Sequence, residues 1–202
     1  MPTASLSVPS AEILESSTAA WVAQCRDLHC APDFGSFVRA PDADESGRVV
    51  VYGVVAHIET EPFDASRRPL ALWTREDEMD ARHPQIGKLL RTVYRARCIG
   101  WAEGTNLIQS LPPQPPRLHS FVLPCSPDEV RRFTDRTDFV RILLDGGSGE
   151  TGADELLVAV CREAVRAHGG DMNYKIKIGS ALAILLRADY HRLRALLSRI
   201  GI

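Results

Sequence analysis

A proline-rich segment, LPPQPPRLH at 111–119, separates two parts of the sequence that follow different hydrophobic periods. Before it, short apolar runs rich in β-branched and aromatic residues alternate with turn residues, which is typical of β-strands. After it, apolar residues recur every three or four positions, which is typical of helices. This change predicts an α+β protein with a small closed antiparallel β-barrel at 11–111, a proline-rich connector at 112–124 and an α-helical bundle at 125–202.

The barrel prediction depends on the run from Phe34 to Val55. Two apolar stretches flank the segment APDADESG, whose proline, aspartates, serine and glycine all favour turns, so the run is expected to fold as a hairpin. Gly53 lies inside the second predicted strand, where glycine costs stability unless the backbone bulges, bends or approaches a neighbour closely. Because such bends let a small sheet turn corners, we predict a closed barrel.

Start and stop signals position the helices of the second part. Ser126-Pro127-Asp128-Glu129 combines an N-cap serine, a first-turn proline and a glutamate three positions on, which predicts a capping box. The next helix is expected from about Thr151 or Asp154 to the pair Gly169-Gly170, and another from about 171 to 186. In the last helix an apolar seam is expected to pack against a neighbour, and it consists of Leu186, Tyr190, Leu193, Leu197 and Ile200.

Composition bounds the class of protein. With 202 residues, of which 45% are hydrophobic and 25% charged, the chain is typical of globular proteins. A formal charge of -2 provides no global attraction to nucleic acid or to an anionic membrane. No apolar run reaches the ~18 residues of a membrane helix, and the N-terminus lacks the features of a signal peptide. We therefore expect a cytoplasmic protein without membrane contact, and the 5 scattered cysteines as reduced thiols.

The sequence contains no complete catalytic motif. Around 144–151 a glycine-rich stretch precedes a helix, but Glu150 takes the place of the lysine of a phosphate loop, and a carboxylate there would repel phosphates. His57 and Glu59 share one face of a predicted strand, either as an acid–base pair or as an ordinary surface pair. None of the 6 histidines lies in a recognisable nucleophile signature. We therefore predict no enzymatic activity, no catalytic residue and no cofactor.

A zinc site is the remaining chemical alternative. The stretch CRDLHC offers Cys25, His29 and Cys30, with His119 and Cys125 as further ligands. Structural zinc needs four converging nitrogen or sulfur ligands. On a continuous strand Cys25 and His29 would face away from Cys30, so the three could not converge. We therefore predict no metal site.

Arginines supply the candidate interface. Arg67 and Arg68 are adjacent, and neighbouring side chains on a strand or turn point apart, so they do not suit a clamp on one phosphate. One is expected to pair with a carboxylate such as Asp64, and the other to meet solvent or a partner. On the last helix several arginines lie away from the apolar seam, as a solvated face or as a docking surface for an acidic partner or a nucleic-acid backbone. The candidate interface residues are therefore Arg67, Arg68, Arg192 and Arg199.

The block from Phe34 to Ala71 resembles the HAS-barrel, the small barrel of HerA-type DNA-translocating ATPases and of rotary ATP synthase subunits. The residues that carry the resemblance are Gly35, Val38 and the run Tyr52–Val55, and it extends over about residues 11–110. In those ATPases a phosphate-loop motor follows the barrel, whereas here a helical pattern without an intact phosphate loop follows it. The resemblance implies a stand-alone barrel protein that acts in assembly, because such barrels form ring contacts and dock partner proteins.

These observations predict a non-catalytic assembly or adaptor module. It is expected to self-associate or to dock onto a protein partner such as an ATPase, with DNA processing as one setting. Two alternatives stay open. One is a small-molecule enzyme with a pocket at the barrel–helix junction near His57, Arg67 and His119, and the other is a nucleic-acid-binding protein that uses the basic C-terminal helix.

Overall fold

A computed structural model describes residues 9–41, 49–64, 66, 69–74, 78, 81–83, 85–145 and 152–202. The strands are β1 (Ala11–Ser16), β2 (Ala20–Cys25), β3 (Phe37–Pro41), β4 (Val49–Pro62), β5 (Leu90–Glu103), β6 (Asn106–Ile108) and β7 (Phe121–Pro124). The helices are α1 (Ile86–Leu89), α2 (Pro127–Thr134), α3 (Asp138–Asp145), α4 (Ala153–Ala167), α5 (Met172–Leu185) and α6 (Tyr190–Ile200). The predicted α+β class is confirmed.

Six of the strands form a closed antiparallel barrel. Their order is β2-β1-β7-β3-β4-β5, and β5 pairs back onto β2. The predicted hairpin is β3 and β4, which pair from Phe37 opposite Val54 to Pro41 opposite Val50. The short strand β6 adds to the far end of β5 and is not needed for closure. Closure leaves most strand edges paired within the barrel.

The end of the predicted connector belongs to the barrel. Phe121–Pro124 form β7, which pairs with β1 through Val122 and with β3 through Leu123. The polyproline pattern at 112–116 therefore ends before 121, where a short β-branched and aromatic run supplies the strand that closes the gap. The boundaries 11–111 and 125–202 themselves stay a prediction.

The barrel interior is a compact apolar cluster. Ile13, Trp21, Val38, Tyr94 and Cys98 are all buried in it. Because alternate residues of a strand face opposite sides, Trp21 points inward while its neighbour Val22 is only half-buried.

Gly53 meets both conditions that justify a glycine in a strand. The β4–β5 register shifts between Tyr52 and Gly53, which marks the predicted bulge or irregularity. A Cβ atom at Gly53 would lie 2.4 Å from Cη2 of Trp21 and 2.9 Å from the carbonyl oxygen of Arg97. The glycine therefore lets β4 pass directly over the largest side chain of the barrel interior.

The outer face of the barrel packs against the helices. Phe37, Tyr52 and Ile99 point outward into a second cluster that also contains Phe133 of α2 and Phe139 of α3. The rings of Tyr52 and Phe133 are 5.1 Å apart between centroids, and those of Phe37 and Phe133 are 6.1 Å apart. The barrel and the helical part therefore share one hydrophobic core.

Helix ends agree with the sequence signals. Ser126 and Glu129 form the predicted capping box at the start of α2. Helix α4 ends before Gly169 and Gly170, which adopt φ angles of 66° and 72°. None of the described helices combines the length and the apolar composition that a membrane span requires.

The predicted seam of the last helix is partly wrong. Asp189 caps α6 through the backbone N–H of Arg192, so the helix begins at Tyr190, and Leu186 belongs to the end of the preceding helix. Tyr190 is 69% exposed, whereas Leu196, which the seam omitted, is 1% exposed. The buried side of α6 therefore follows Leu193, Leu196, Leu197 and Ile200.

Candidate docking surface

The predicted interface arginines of the last helix are engaged within the chain. Arg192 of α6 donates two hydrogen bonds to the carboxylate of Asp154 on α4, from Nε at 3.0 Å and from Nη2 at 2.6 Å. The hydrogen bond to Asp154 is the main reason that the pKa of Arg192 is raised. Arg199 pairs with Glu155, one residue further along α4. Both arginines therefore hold α6 against α4, while Arg67 and Arg68 lie outside the described residues.

Other cations bind carbonyl groups at helix ends. Arg97 of β5 donates to the carbonyl oxygen of Ile142 at 2.7 Å, near the end of α3. Arg131 donates to the carbonyl oxygen of Ala167 at 3.2 Å, and Arg162 to that of Arg199 at 2.8 Å. Carbonyl groups in the last turn of a helix lack partners within that helix. A cation at this end also interacts favourably with the negative end of the helix dipole. Much of the basic surface is therefore structural.

The residues proposed for zinc are not brought together. Strand β2 ends at Cys25, and His29 lies in the turn that follows with a φ of 62°, so the segment is not a continuous strand through Cys30. His119 contacts Glu12, with Nδ1 2.7 Å from Oε1. Within the described ranges no group of three or more histidine, cysteine, aspartate or glutamate side chains could hold a metal ion.

The buried thiols are poor nucleophiles. Burial raises the pKa of Cys98 and of Cys161 to about 12. Burial raises the pKa of Cys25 to about 11, with a smaller contribution from the neighbouring Cys30. Since the thiolate is the reactive form, none of these three thiols is activated near neutral pH.

His57 and Glu59 lie on β4, with Nε2 of the histidine 3.8 Å from Oε2 of the glutamate. Both side chains are partly exposed. His57, Glu59 and His119 do not line the groove between Pro62 and Leu90 or the grooves beside β1.

The main surface feature is an arm formed by the outer parts of β4 and β5. These two strands pair over 14 residues each, out to Pro62 opposite Leu90. On β4 the pairing with β3 stops at Val54, and on β5 the pairing with β2 stops at Val93. The outer ends of β4 and β5 therefore project beyond their neighbouring strands. We call three segments, Ile58–Asp64, Pro69–Thr74 and Gln85–Thr92, the arm.

Polar contacts hold the base of the arm. Arg91 donates from Nε to the carboxylate of Glu61 at 2.9 Å, and its guanidinium lies 5.7 Å from the ring centre of Phe63. The hydroxyl groups of Thr60 and Thr92 are 2.9 Å apart, and the backbone N–H of His29 donates to Thr92 Oγ1 at 2.8 Å. The His29 turn therefore connects the arm to the barrel rim.

An apolar groove of about 420 Å³ lies at the end of the arm. Its walls include Phe63, Leu70, Leu72, Ile86 and Leu89. Leu70 is 84% exposed and Phe63 is 53% exposed, although both are apolar. We call this feature the arm groove. Contiguous apolar surface of this kind marks binding sites in soluble proteins.

Trp73 follows the groove residue Leu72 directly, but it does not line the arm groove. Its side chain is 97% exposed, and its φ is 54°. The left-handed region is unfavourable for a bulky residue with a Cβ atom. Trp73 therefore combines an exposed aromatic side chain with a strained backbone conformation.

Sequence reasoning noted the arm segment only for its arginines. The available signal was the apolar run PLALW, which no barrel strand accounts for and which lies between prolines and charged residues. An apolar run that belongs to no buried element indicates a contact surface. Its arrangement as a groove depends on the folding of the chain, which brings α1 and the end of β4 beside it.

A scan against protein-family models finds no match to this chain, and a search of the curated proteins finds none either. The closed six-stranded antiparallel barrel is compatible with a barrel domain, and neither comparison assigns it to a family. Neither comparison adds a catalytic residue or a ligand to the arm.

Proposed function

We propose that the protein is a non-catalytic assembly module that docks onto a protein chain through the arm. The observation that carries the proposal is the exposed arm groove beside the exposed Trp73. Tryptophan is enriched among the residues that dominate protein–protein binding energy. Burial of the exposed apolar side chains of the arm against a partner would remove them from water, which is the main driving force for association.

The HAS-barrel resemblance supports the same function, since barrels of that family contact one another in rings and dock partner proteins. The partner is accordingly another copy of the chain or an ATPase. Arg67 and Arg68 belong to the same proposal, because in the sequence they lie between the arm residues Asp64 and Pro69. Arg192 and Arg199 are assigned to helix packing instead, since their carboxylate partners lie within the chain.

The test compares the wild-type protein with Leu70→Asp, which places a charge in the arm groove. Leu70 is 84% exposed, so the substitution should leave the fold intact. Ile184→Asp is the matched control, because Ile184 is a 73% exposed aliphatic residue on α5, in the helical part. Each tagged protein is used to retain partners from native lysate, and binding is then repeated with purified components.

The expected result is a partner, or a further copy of the chain, that wild type and Ile184→Asp retain and Leu70→Asp loses by at least tenfold. Equal retention by all three proteins would exclude the arm as the docking surface. A monomeric wild-type protein that retains no partner would contradict the assembly function.

A further inference from the structure

We infer that the occupant of the arm groove is Trp73 of a second copy of this chain, so that two copies exchange tryptophans across a two-fold axis. The inference rests on the proposed function and names its partner. It concerns only described residues, namely those of the arm and His83, which also lines the arm groove.

Trp73 has the properties of an inserted anchor. Its side chain is 97% exposed, and its backbone adopts an unfavourable φ of 54°. A tryptophan buries about 150–250 Å² when it enters an apolar site, with little loss of side-chain freedom. The other two tryptophans are not available for this role, since Trp21 is buried in the barrel and Trp101 is half-buried.

The arm groove has the properties of the receiving site. An enclosed apolar cavity of about 150 Å³ is large enough to bind benzene. The groove, at about 420 Å³, leaves room for an indole ring between Phe63, Leu70 and Leu89. Its lining also includes the polar residues Asp64, His83 and Gln85, and a buried indole N–H usually finds such a partner.

Self-complementarity favours a second copy as the occupant. The anchor follows a groove residue directly in the chain, because Leu72 lines the groove and Trp73 does not. Every copy therefore carries both an anchor and a site, at almost the same place on its surface. A two-fold axis beside this place would let each copy fill the groove of the other, which closes the assembly at a dimer.

The dimer is expected to be weak. Trp73 with Leu70 and Phe63 would bury on the order of a few hundred Å² per copy, below the about 800 Å² per partner of a standard stable interface. Association should therefore depend on protein concentration. This small area also makes a single anchor decisive, since a few residues, often tryptophan, dominate the binding energy of typical interfaces.

The experiment measures the dissociation constant of the purified full-length chain by sedimentation velocity and by tryptophan fluorescence. In the wild type, dimer formation should shift the emission of Trp73 to shorter wavelength as the concentration rises. Trp73→Ala and Leu70→Asp should each weaken the dimer at least tenfold, while Ile184→Asp should match wild type. Circular dichroism melts confirm that all variants are folded, which is expected because the three substituted side chains are largely exposed.

Mixing the two weakened variants provides the decisive step. Trp73→Ala retains an intact groove and Leu70→Asp retains an intact anchor, so a mixed pair regains one of the two contacts. Chains labelled with donor and acceptor dyes should therefore show energy transfer in the mixture that exceeds the transfer in either variant alone.

Three results would overturn the inference. A wild-type dimer that Trp73→Ala leaves unchanged would show that copies associate elsewhere, and the assembly function would stand. Absence of energy transfer in the mixture at a hundred times the wild-type dissociation constant would exclude the exchange. A wild-type chain that stays monomeric at all concentrations would exclude a second copy as the occupant, and the partner-retention experiment would then decide the proposed function separately.

Discussion

At the scale of single residues, a few side chains are constrained by one close neighbour. Gly53 is the clearest of these, because the space for a Cβ atom is occupied by Trp21 and by the carbonyl group of Arg97. His168 is another, because it is packed face to face with Tyr174, with ring centroids 3.6 Å apart and an angle of 8° between the rings. Both positions lead to measurable predictions.

Gly53→Ala should destabilise the barrel by about 1–3 kcal/mol, the usual cost of an extra methyl group in a packed core. The cause is the 2.4 Å approach of its Cβ atom to Trp21. Gly179→Ala inside α5 is the control, since its added Cβ would make only ordinary contact, 3.5 Å from Cγ2 of Ile202. Urea denaturation measures both, and equal midpoints for the two variants would contradict the tight fit at Gly53.

Protonation of His168 should destabilise the protein. Desolvation by burial is the main cause that lowers the pKa of His168 below its ordinary 6.5, with Arg131 as the next contribution. The folded state therefore favours the neutral ring, whose Nε2 lies 3.0 Å from Oγ1 of Thr134. The stabilisation is present above pH 6.5 and is lost as the pH falls through the lower pKa of the folded state.

The measurement compares urea midpoints at pH 7.5 and pH 5.5 for wild type and His168→Gln. The variant should lose less stability on acidification than wild type, because glutamine does not titrate. An identical loss in both proteins would show that other groups cause the acid sensitivity.

At the scale of elements, helix α6 is held to α4 by charge as well as by apolar contact. The two-point contact between Arg192 and Asp154 has a geometry that ordinary surface ion pairs lack, and both side chains are about one-third exposed. Arg194 lies two positions further along α6 and, by contrast, has no ion pair within the described part of the chain.

Arg192→Met should therefore lower the free energy of unfolding by about 1 kcal/mol, which is the upper end of the range for exposed ion pairs. Arg194→Met should leave the free energy of unfolding almost unchanged. A double-mutant cycle with Asp154→Asn isolates the coupling between the two side chains. Thermal or urea denaturation supplies the free energies. A coupling energy indistinguishable from zero would mean that α6 is held by its apolar side alone.

The elements were predicted to different degrees from the sequence. The hairpin of β3 and β4 and the capping box at Ser126 follow from signals that lie within a few residues of one another, and both predictions are confirmed. The strand β7 was missed because it has only 4 residues and forms only by pairing with β1 and β3, which precede it by about a hundred and about eighty residues.

At the scale of the whole molecule, barrel and helices are joined by a shared core and by a half-buried cation, Arg97. Phe133 of α2 contacts the rings of Phe37 and Tyr52 on the outer barrel face. Arg97 crosses from β5 to the end of α3, and burial there lowers its pKa without removing its charge near neutral pH. These contacts make the two parts mutually dependent.

We therefore expect one cooperative unfolding transition. Tryptophan fluorescence, which includes Trp21 inside the barrel, should coincide with far-ultraviolet circular dichroism, which reports mainly on the helices. Phe133→Ala should lower the free energy of unfolding by about 3–5 kcal/mol, and both signals should report the same loss. Separate transitions for the two signals would instead indicate that the barrel and the helical part fold independently.

By itself, the sequence determined the α+β class, the hairpin, the need for glycine at position 53 and the capped start of α2, because each depends on local backbone preferences and on side-chain alternation. The tertiary structure decided the closure by β7, the engagement of Arg192 and Arg199 by α4, and the grouping of Phe63, Leu70 and Leu89 into the arm groove. These features join residues that are not neighbours along the chain. Packing in three dimensions selects such neighbours, and spacing along the sequence does not encode them.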